Sequence, residues 1–372
     1  MISTARKLGG PAAIALILLF SLTGTCIAGW HHKAVARGQF IALTVDQYGV
    51  SHYLYQTPYG THAGKIEHVS FNAKGKLIAK ESLPSLAFAT EVLGDIAADA
   101  QNHLHVVVSA IGADLPITYG FFDGSEWQIQ ELPDISRGCE WPTVAVDADS
   151  NPHVACYRAG PYHYSYDGTT WTSEAVPVTF GADSLAPENS RIPIFIESTG
   201  NIHIGAVVSD ESSGGQNLAC DNVNSSGTWT SNCGCLGSPG PQYQALTMGV
   251  DSSGYPRFMY GTGTLSDELG IAYCAFDGAA FSAETLSSTS TDGALAVSSS
   301  DVSEAVILEP ASRGSEVSAI FGMLDDGTWS YQPIGKGPGL AGVGLALDSN
   351  GLPRAGATAA DYNVVYAYFV PK

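Results

Sequence analysis

Four arginines, Arg137, Arg158, Arg191 and Arg313, fall in long irregular stretches of a chain that is short of cations, with 16 Lys and Arg against 36 Asp and Glu. A guanidinium presents a rigid fork of donors that meets a carboxylate or sulfate through two bonds at once, so Arg137, Arg158 and Arg191 in neighbouring segments point to an acidic sugar. Glu140, Tyr162, His163, Asp183 and Glu188 lie in the same segments. Together they hold the groups that proton abstraction beside a sugar carboxylate would use: Arg to neutralise the anion, Tyr or His to move the proton, and a carboxylate such as Glu140 or Glu188. The plainer reading pairs each Arg with a carboxylate of its own face, where an exposed ion pair is worth less than about 1 kcal/mol. The ligand-binding candidates are therefore Arg137, Glu140, Arg158, Tyr162, His163, Glu188 and Arg191. No nucleophile, base and orienting group emerge together, so catalytic residues stay unknown, and neither a metal nor a cofactor is expected.

Histidines need sorting by position before they are given chemistry. His52, His105, His153 and His203 occupy one repeat position, where Arg257 and Arg354 stand in later copies. A position refilled in this way serves the repeat, whereas His62 and His163 lie outside that register and are better candidates. Asp147-Ala-Asp149-Ser-Asn151 looks like the start of a calcium loop. Pro152 replaces the required Gly and Arg158 stands where the bidentate Glu belongs, so a hairpin turn is expected there.

The elements that must position these residues form a sevenfold repeat. Each copy reads as an apolar run, an Asp-rich tight turn, a second apolar run, a loop, a Tyr-rich run, then Asp-Gly and an aromatic residue. Turn anchors at Asp46, Asp99, Asp147, Glu197, Asp251, Ser299 and Asp348 are separated by 53, 48, 50, 54, 48 and 49 residues. Stretches such as 143–146 and 153–157 are short, β-branched or aromatic, and stopped by Gly, Pro, Asn and Asp, which is strand chemistry. A period near 50 with four short strands per unit predicts an all-β, seven-bladed β-propeller of four-stranded antiparallel blades. Trp127, Trp171, Trp229 and Trp329, with Phe281, recur just after the second hairpin of a copy and are expected to pack between blades. The seventh copy has only three strands, and residues 31–38 precede the first without a place in it. This segment is expected to supply the missing outer strand and close the ring.

Strand parity also sorts the loops. The tight Asp turns share one face of the ring; the long loops between second and third strands and between blades share the other, where a site is expected.

Residues 1–28 read as a signal peptide. Arg6 and Lys7 precede an apolar run over 11–22 and small residues that end at Ala28, with residues 29–372 left as a single propeller domain. A lipid anchor on Cys26 is the rival reading. Six cysteines then remain, an even number that favours disulfides in an exported chain; about 15 pairings are open, and Cys139 with Cys156 is the first to test, since the loop entering the third copy and its second strand can approach each other. Cys233-Gly-Cys235 lacks a second ligand pair at zinc-finger spacing, so zinc is the weaker reading there. The formal charge of −20 disfavours nucleic acid and anionic membrane surfaces as partners. A monomer secreted or held in the periplasm, facing an extracellular glycan or a surface protein, is expected.

The recurring Asp-x-x-Gly-x-Pro-His/Arg with Asp-Gly-x-x-Trp resembles the repeats of sialidase-like secreted bacterial propellers. Residues 165–171 approximate the Asp-box of that family, one residue short between Asp and Gly. Ser190-Arg191-Ile192-Pro193 is similar to the Arg-Ile-Pro motif whose Arg, in the family, binds the sialic acid carboxylate; here it opens the fourth repeat. The architecture is also similar to secreted seven-bladed polysaccharide lyases, which use His, Tyr and Arg on uronic acids. The expected function is non-catalytic binding through the irregular face, with a glycan-active lyase or sialidase-like glycosidase as the alternative.

Overall fold

The computed structural model describes residues 29–59, 62–112, 115–133, 138–158, 160–178, 191–210, 216–237, 246–262, 270–290, 292–310, 316–338, 340–359 and 363–371. The strands group into seven four-stranded antiparallel sheets. Blades one to six take consecutive strands within 39–88, 92–131, 140–175, 194–237, 247–287 and 292–338. Each first strand touches the first strand of the blades on either side, and the circuit closes from blade seven back to blade one. The first strands thus line the axis of a seven-bladed propeller.

Blade seven takes its fourth strand from the other end of the described chain. Gly29–Arg37 pairs antiparallel with Asn363–Val370, from Gly29 opposite Val370 to Arg37 opposite Asn363. Trp30 in this strand packs on Phe321 of blade six, ring centroids 5.2 Å apart. It therefore holds the place that Trp127, Trp171, Trp229 and Trp329 hold in their own blades. Trp171 packs on Tyr119 of blade two at 5.1 Å, and Trp329 on Tyr273 of blade five at 5.2 Å. Trp127 and Trp229 each pack at 5.7 Å on a histidine of the preceding blade, His68 and His163.

The core is distributed rather than central. Each of the seven joints between blades has its own buried apolar cluster, such as Phe40, Tyr53 and Tyr366 between blades seven and one, or Val107, Tyr119 and Tyr164 between two and three. Each blade presents one apolar face to each neighbour, so a strand buried on both sides reads as a continuous apolar run.

The first hairpins share one construction. Asp46 accepts the N–H groups of Tyr48 and Val50 on Oδ1, at 2.9 and 2.8 Å. Three residues after the anchor, Gly49, Asn102, Ser150, Gly200, Gly254, Asp301 and Gly351 all have positive φ. In blade six this places the anchor at Ser298, whose Oγ accepts Val302 N–H, one residue earlier than the sequence spacing indicates. Asp147 accepts Asp149 and Asn151 N–H on Oδ1, the turn expected in place of a calcium loop.

The carboxylate of the anchor also faces the repeat-position Arg or His of the next strand. Arg257 lies 2.6 Å from Asp251, Arg354 3.0 Å from Asp348, and His203 2.7 Å from Glu197. His52 lies 3.3 Å from Asp46, with His105 and His153 at 3.6 Å from Asp99 and Asp147. Blade six inverts the pattern with Ser298 and Glu304. The Glu304 carboxyl is buried and pushed up to about 7 by that burial, with Asp348 nearby adding to the effect.

All six cysteines of the described chain pair, as Cys139–Cys156, Cys220–Cys233 and Cys235–Cys274. The two sulfurs of Cys233-Gly-Cys235 therefore go to different partners. Three disulfides place the chain in an oxidising compartment.

A chain that starts at Gly38 should melt about 10 °C or more below one that starts at Gly29, since loss of a packed Trp alone costs about 3–5 kcal/mol and each kcal/mol moves Tm by about 2–4 °C. Thermal unfolding followed by circular dichroism checks this; equal melting would show that the N-terminal strand does not close the ring.

Candidate functional site

Of the sequence candidates, Glu140, Arg158 and Tyr162 all lie at the loop-face end of blade three, with Glu140 on the Tyr157 face of the sheet and Tyr162 on the Cys156 face. Glu140 opens the inner strand (Glu140–Val146) and stands opposite Tyr157, the last residue of the second strand (Pro152–Tyr157). Tyr157 in turn faces Pro161, and Cys156 faces Tyr162, in the third strand (Pro161–Tyr166). Arg158 is exposed in the tight link between these strands, while Glu140 and Tyr162 are half-buried. The Cys139–Cys156 disulfide ties the chain entering the blade to the second strand and so fixes where Glu140 emerges. Burial pushes the phenol of neighbouring Tyr164 up to about 12, and the Arg158 charge acts against that rise.

His163 goes elsewhere. It is 4% exposed, inside the blade, with Nε2 2.9 Å from His153 Nδ1 and Nδ1 3.1 Å from Glu174 Oε1. It packs within the blade instead of facing the loops. His62 is exposed on the loop of blade one. Arg137, Asp183, Glu188 and Arg313 lie outside the described residues.

Arg191 stands just before the inner strand of blade four (Ile194–Ile196), against the axis. Its Nη2 lies 3.6 Å from Asp95 Oδ1, a carboxylate of blade two. Asp95 Oδ2 also accepts Val144 N–H of blade three at 3.2 Å. One acid therefore joins three blades where the free edges of the inner strands face the channel. Asp292 repeats the device in blade six and accepts Gly342 and Val343 N–H of blade seven at 2.7 and 3.3 Å. Burial holds both carboxyls above their ordinary range, and the Arg191 charge opposes that rise at each.

Trp141 is the residue that sequence reasoning passed over. Between Glu140 and Thr143 the pairing with the second strand slips, and Trp141 sits in that bulge at φ +55°. A bulky residue with positive φ is strained, by about 1–3 kcal/mol. The same position six residues before the anchor is Gly342 in blade seven, at φ +59° and in an equivalent bulge. Blade seven uses the residue that adopts this conformation freely, and blade three puts a half-buried indole there. Arg191 holds the same position in blade four, and Thr143 Oγ1 donates to Ile192 O across that joint. Trp141 and Arg191 are thus neighbours around the channel mouth. A sequence signal existed: Trp141 is the tryptophan that opens a repeat, where the other five lie in fourth strands.

This arrangement offers an aromatic side chain, an exposed guanidinium, a phenol and a carboxylate at one end of one blade, beside a second guanidinium held at the axis. Such a set can stack on a sugar ring and pair with its anionic substituent.

The sequence matches no protein-family model, and no curated protein is significantly similar to it. Among solved structures it is similar to an ulvan lyase of a polysaccharide lyase family with -[GlcA(1-4)Rha3S]- bound, at 9% identity and a TM-score of 0.64 over 91% of this chain and 95% of that one. The BP39L lectin from Burkholderia pseudomallei aligns at 12% identity and a TM-score of 0.61 over 90% and 99%. The Cps50 (Swd1) propeller domain of Myceliophteria thermophila aligns at 9% identity and 0.54 over 91% and 98%. At these identities the likeness shows the propeller fold, and it extends across a lyase, a lectin and a further propeller domain alike.

Strain at Trp141 has a measurable signature. Trp141→Gly should be more stable than Trp141→Ala by about 1 kcal/mol, because Ala keeps the positive-φ cost without the indole contacts. Urea unfolding of the two variants decides it; an Ala variant as stable as the Gly variant would mean the bulge relaxes.

Proposed function

We propose that this protein is an exported, monomeric propeller that binds an acidic extracellular glycan on the loop face of blade three and does not cleave it. The observation that carries the reading is Trp141, held in a conformation natural to glycine beside Glu140, Arg158 and Tyr162. Strain of this kind persists where surrounding structure enforces it, and at a loop face an aromatic so placed suits a sugar ring. The burial of His163 supports binding over chemistry, since the imidazole of the candidate set is engaged by His153 and Glu174. Arg158 and Arg191 supply the charge that selects a uronate or sulfate. The disulfides fit export. Lectin and lyase likenesses fit glycan recognition in general.

The alternative keeps the same ligand and adds cleavage by a lyase or a sialidase-like glycosidase. Its support is that a carboxylate, a guanidinium and a phenol, those of Glu140, Arg158 and Tyr162, stand at the same end of blade three.

One experiment separates them. Residues 29–372 are presented with uronate-bearing, sulfated and neutral polysaccharides, and both retention and new reducing ends are measured. Retention of an acidic polysaccharide that weakens with salt, with no new ends, is expected. Arg158→Ala with Arg191→Ala should lower that affinity about tenfold or more, equivalent to about 1.4 kcal/mol, and Trp141→Gly should do likewise. Unchanged affinity would remove those residues from the site, and released ends would make the protein an enzyme.

A further inference from the structure

Blades one and three carry the same four-membered chain of titratable groups. In blade one, His52 Nε2 lies 3.3 Å from Asp46 Oδ2, His52 Nδ1 3.0 Å from His68 Nε2, and His68 Nδ1 3.0 Å from Glu81 Oε1. In blade three the matching distances are 3.6 Å from His153 to Asp147, 2.9 Å from His153 to His163, and 3.1 Å from His163 to Glu174. Both pairs of rings are stacked with centroids 5.2 Å apart.

Counting protons shows what such a chain can hold. There are three gaps, and each hydrogen bond needs one proton. Two neutral imidazoles bring two, which fill the gap between the rings and the gap to the outer glutamate. A bare Nε2 is left facing the turn acid, and in both chains that gap is the longest. A third proton closes it and makes one imidazolium. A fourth cannot enter, because two N–H groups would then oppose each other across about 3 Å. The unfolded chain has no such restriction and takes two protons per pair near the free histidine pKa of about 6.5.

The sign follows directly. Below that pH the unfolded state binds more protons than the folded one, so stability falls as pH falls. Burial acts in the same direction, lowering His68 and His163 and taking His153 down to about 4. Blade two agrees with them. Burial lowers His105 too, with Asp99 acting against it; its Nδ1 is 2.7 Å from the Tyr119 hydroxyl, and its Nε2 faces Asp99 across the same 3.6 Å gap as in blade three. The other titratable groups facing these three clusters are His103 at 3.0 Å from Asp99 and Tyr166, whose charge acts on Tyr119; the neutral Trp127 indole lies beside Glu81.

The remaining blades respond otherwise. Burial pulls His203 down, but Asp221 and then Glu197 outweigh it and hold the imidazole above its ordinary value. Its contribution is present below the free histidine pKa and is lost only as pH rises. Blades five and seven carry Arg257 and Arg354 in place of the histidine. Glu304 in blade six is easier to bury once protonated, so acid favours it.

We propose that blades one, two and three form an acid-labile arc of the ring, which opens on mild acidification while blades four to seven stay closed. The arc includes the blade of Glu140, Trp141, Arg158 and Tyr162, so a ligand held there would be released with it. That consequence rests on the proposed function, whereas the arc itself is tested without ligand.

Hydrogen–deuterium exchange of residues 29–372, corrected for intrinsic rates, is compared at about pH 7.5 and about pH 5, below the free histidine pKa and above the range in which the turn carboxylates titrate. Protection within 51–71, 104–122 and 152–166 should fall about tenfold or more per pKa unit of mismatch, while 202–208, 256–260 and 353–358 keep theirs. Uniform loss around the ring, first loss in blades four to seven, or no change would overturn the proposal. A variant with His153→Arg and His163→Gln gives blade three the cation used by blades five and seven. It should keep 152–166 protected at the lower pH, and loss equal to the parent chain would also count against the arc.

Discussion

In six of the seven blades a single carboxylate at the head of the blade does the work on which the ring depends. It caps its own hairpin and also faces the Arg or His of the next strand, as Asp348 does with Asn350, Leu352 and Arg354. The turn is thereby fixed to the strand that follows it. That strand's neighbours in the sheet then present the surface on which the next blade's aromatic packs. Arg354 is completely buried, and removing either member of such a pair leaves an uncompensated charge, a loss of about 3–5 kcal/mol. The lock is therefore local in sequence and global in effect.

A propeller built from such units has no central core to fall back on. Each joint must be sufficient by itself, and the weakest joints are those with least strand. The inner strands of blades four and five, Ile194–Ile196 and Thr247–Val250, are the shortest around the axis. The three disulfides lie in blades three, four and five and join four to five through Cys235–Cys274. Of these covalent links, worth about 2–5 kcal/mol each, Cys235–Cys274 stands at the joint with the shortest inner strands. Closure by Gly29–Arg37 answers the same need at blade seven, since it pairs an edge that would otherwise be open.

At the axis the free edges of the inner strands need acceptors, and Asp95 and Asp292 supply them from neighbouring blades. This structural duty also fixes the position of Arg191. Blade three departs from its sister blades at this level, with Trp141 in a bulge that blade seven builds from glycine. Departures from an otherwise faithful repeat are the places where something besides folding shapes the chain.

The repeat was legible because its signals are local. Asp at the turn, positive φ three residues later, alternation along short strands and an aromatic after the second hairpin each act over a few residues, so blade number, closure and loop parity could be read directly. The repeat-position histidines were legible for the same reason. The one-residue error at Ser298 arose where the acid that marks the turn is absent and only hydroxyls remain. The shared place of Glu140, Arg158 and Tyr162 at one end of blade three was legible, because strand parity puts the start of a first strand and the link between second and third strands on the same face of the ring. His163 was misplaced because burial depends on which face of the strand meets the next blade. Asp95, Asp292 and the strain at Trp141 could come only from the tertiary structure. They depend on distances across the channel and on a slip in pairing between strands, and neither is written in the spacing of residues along the chain.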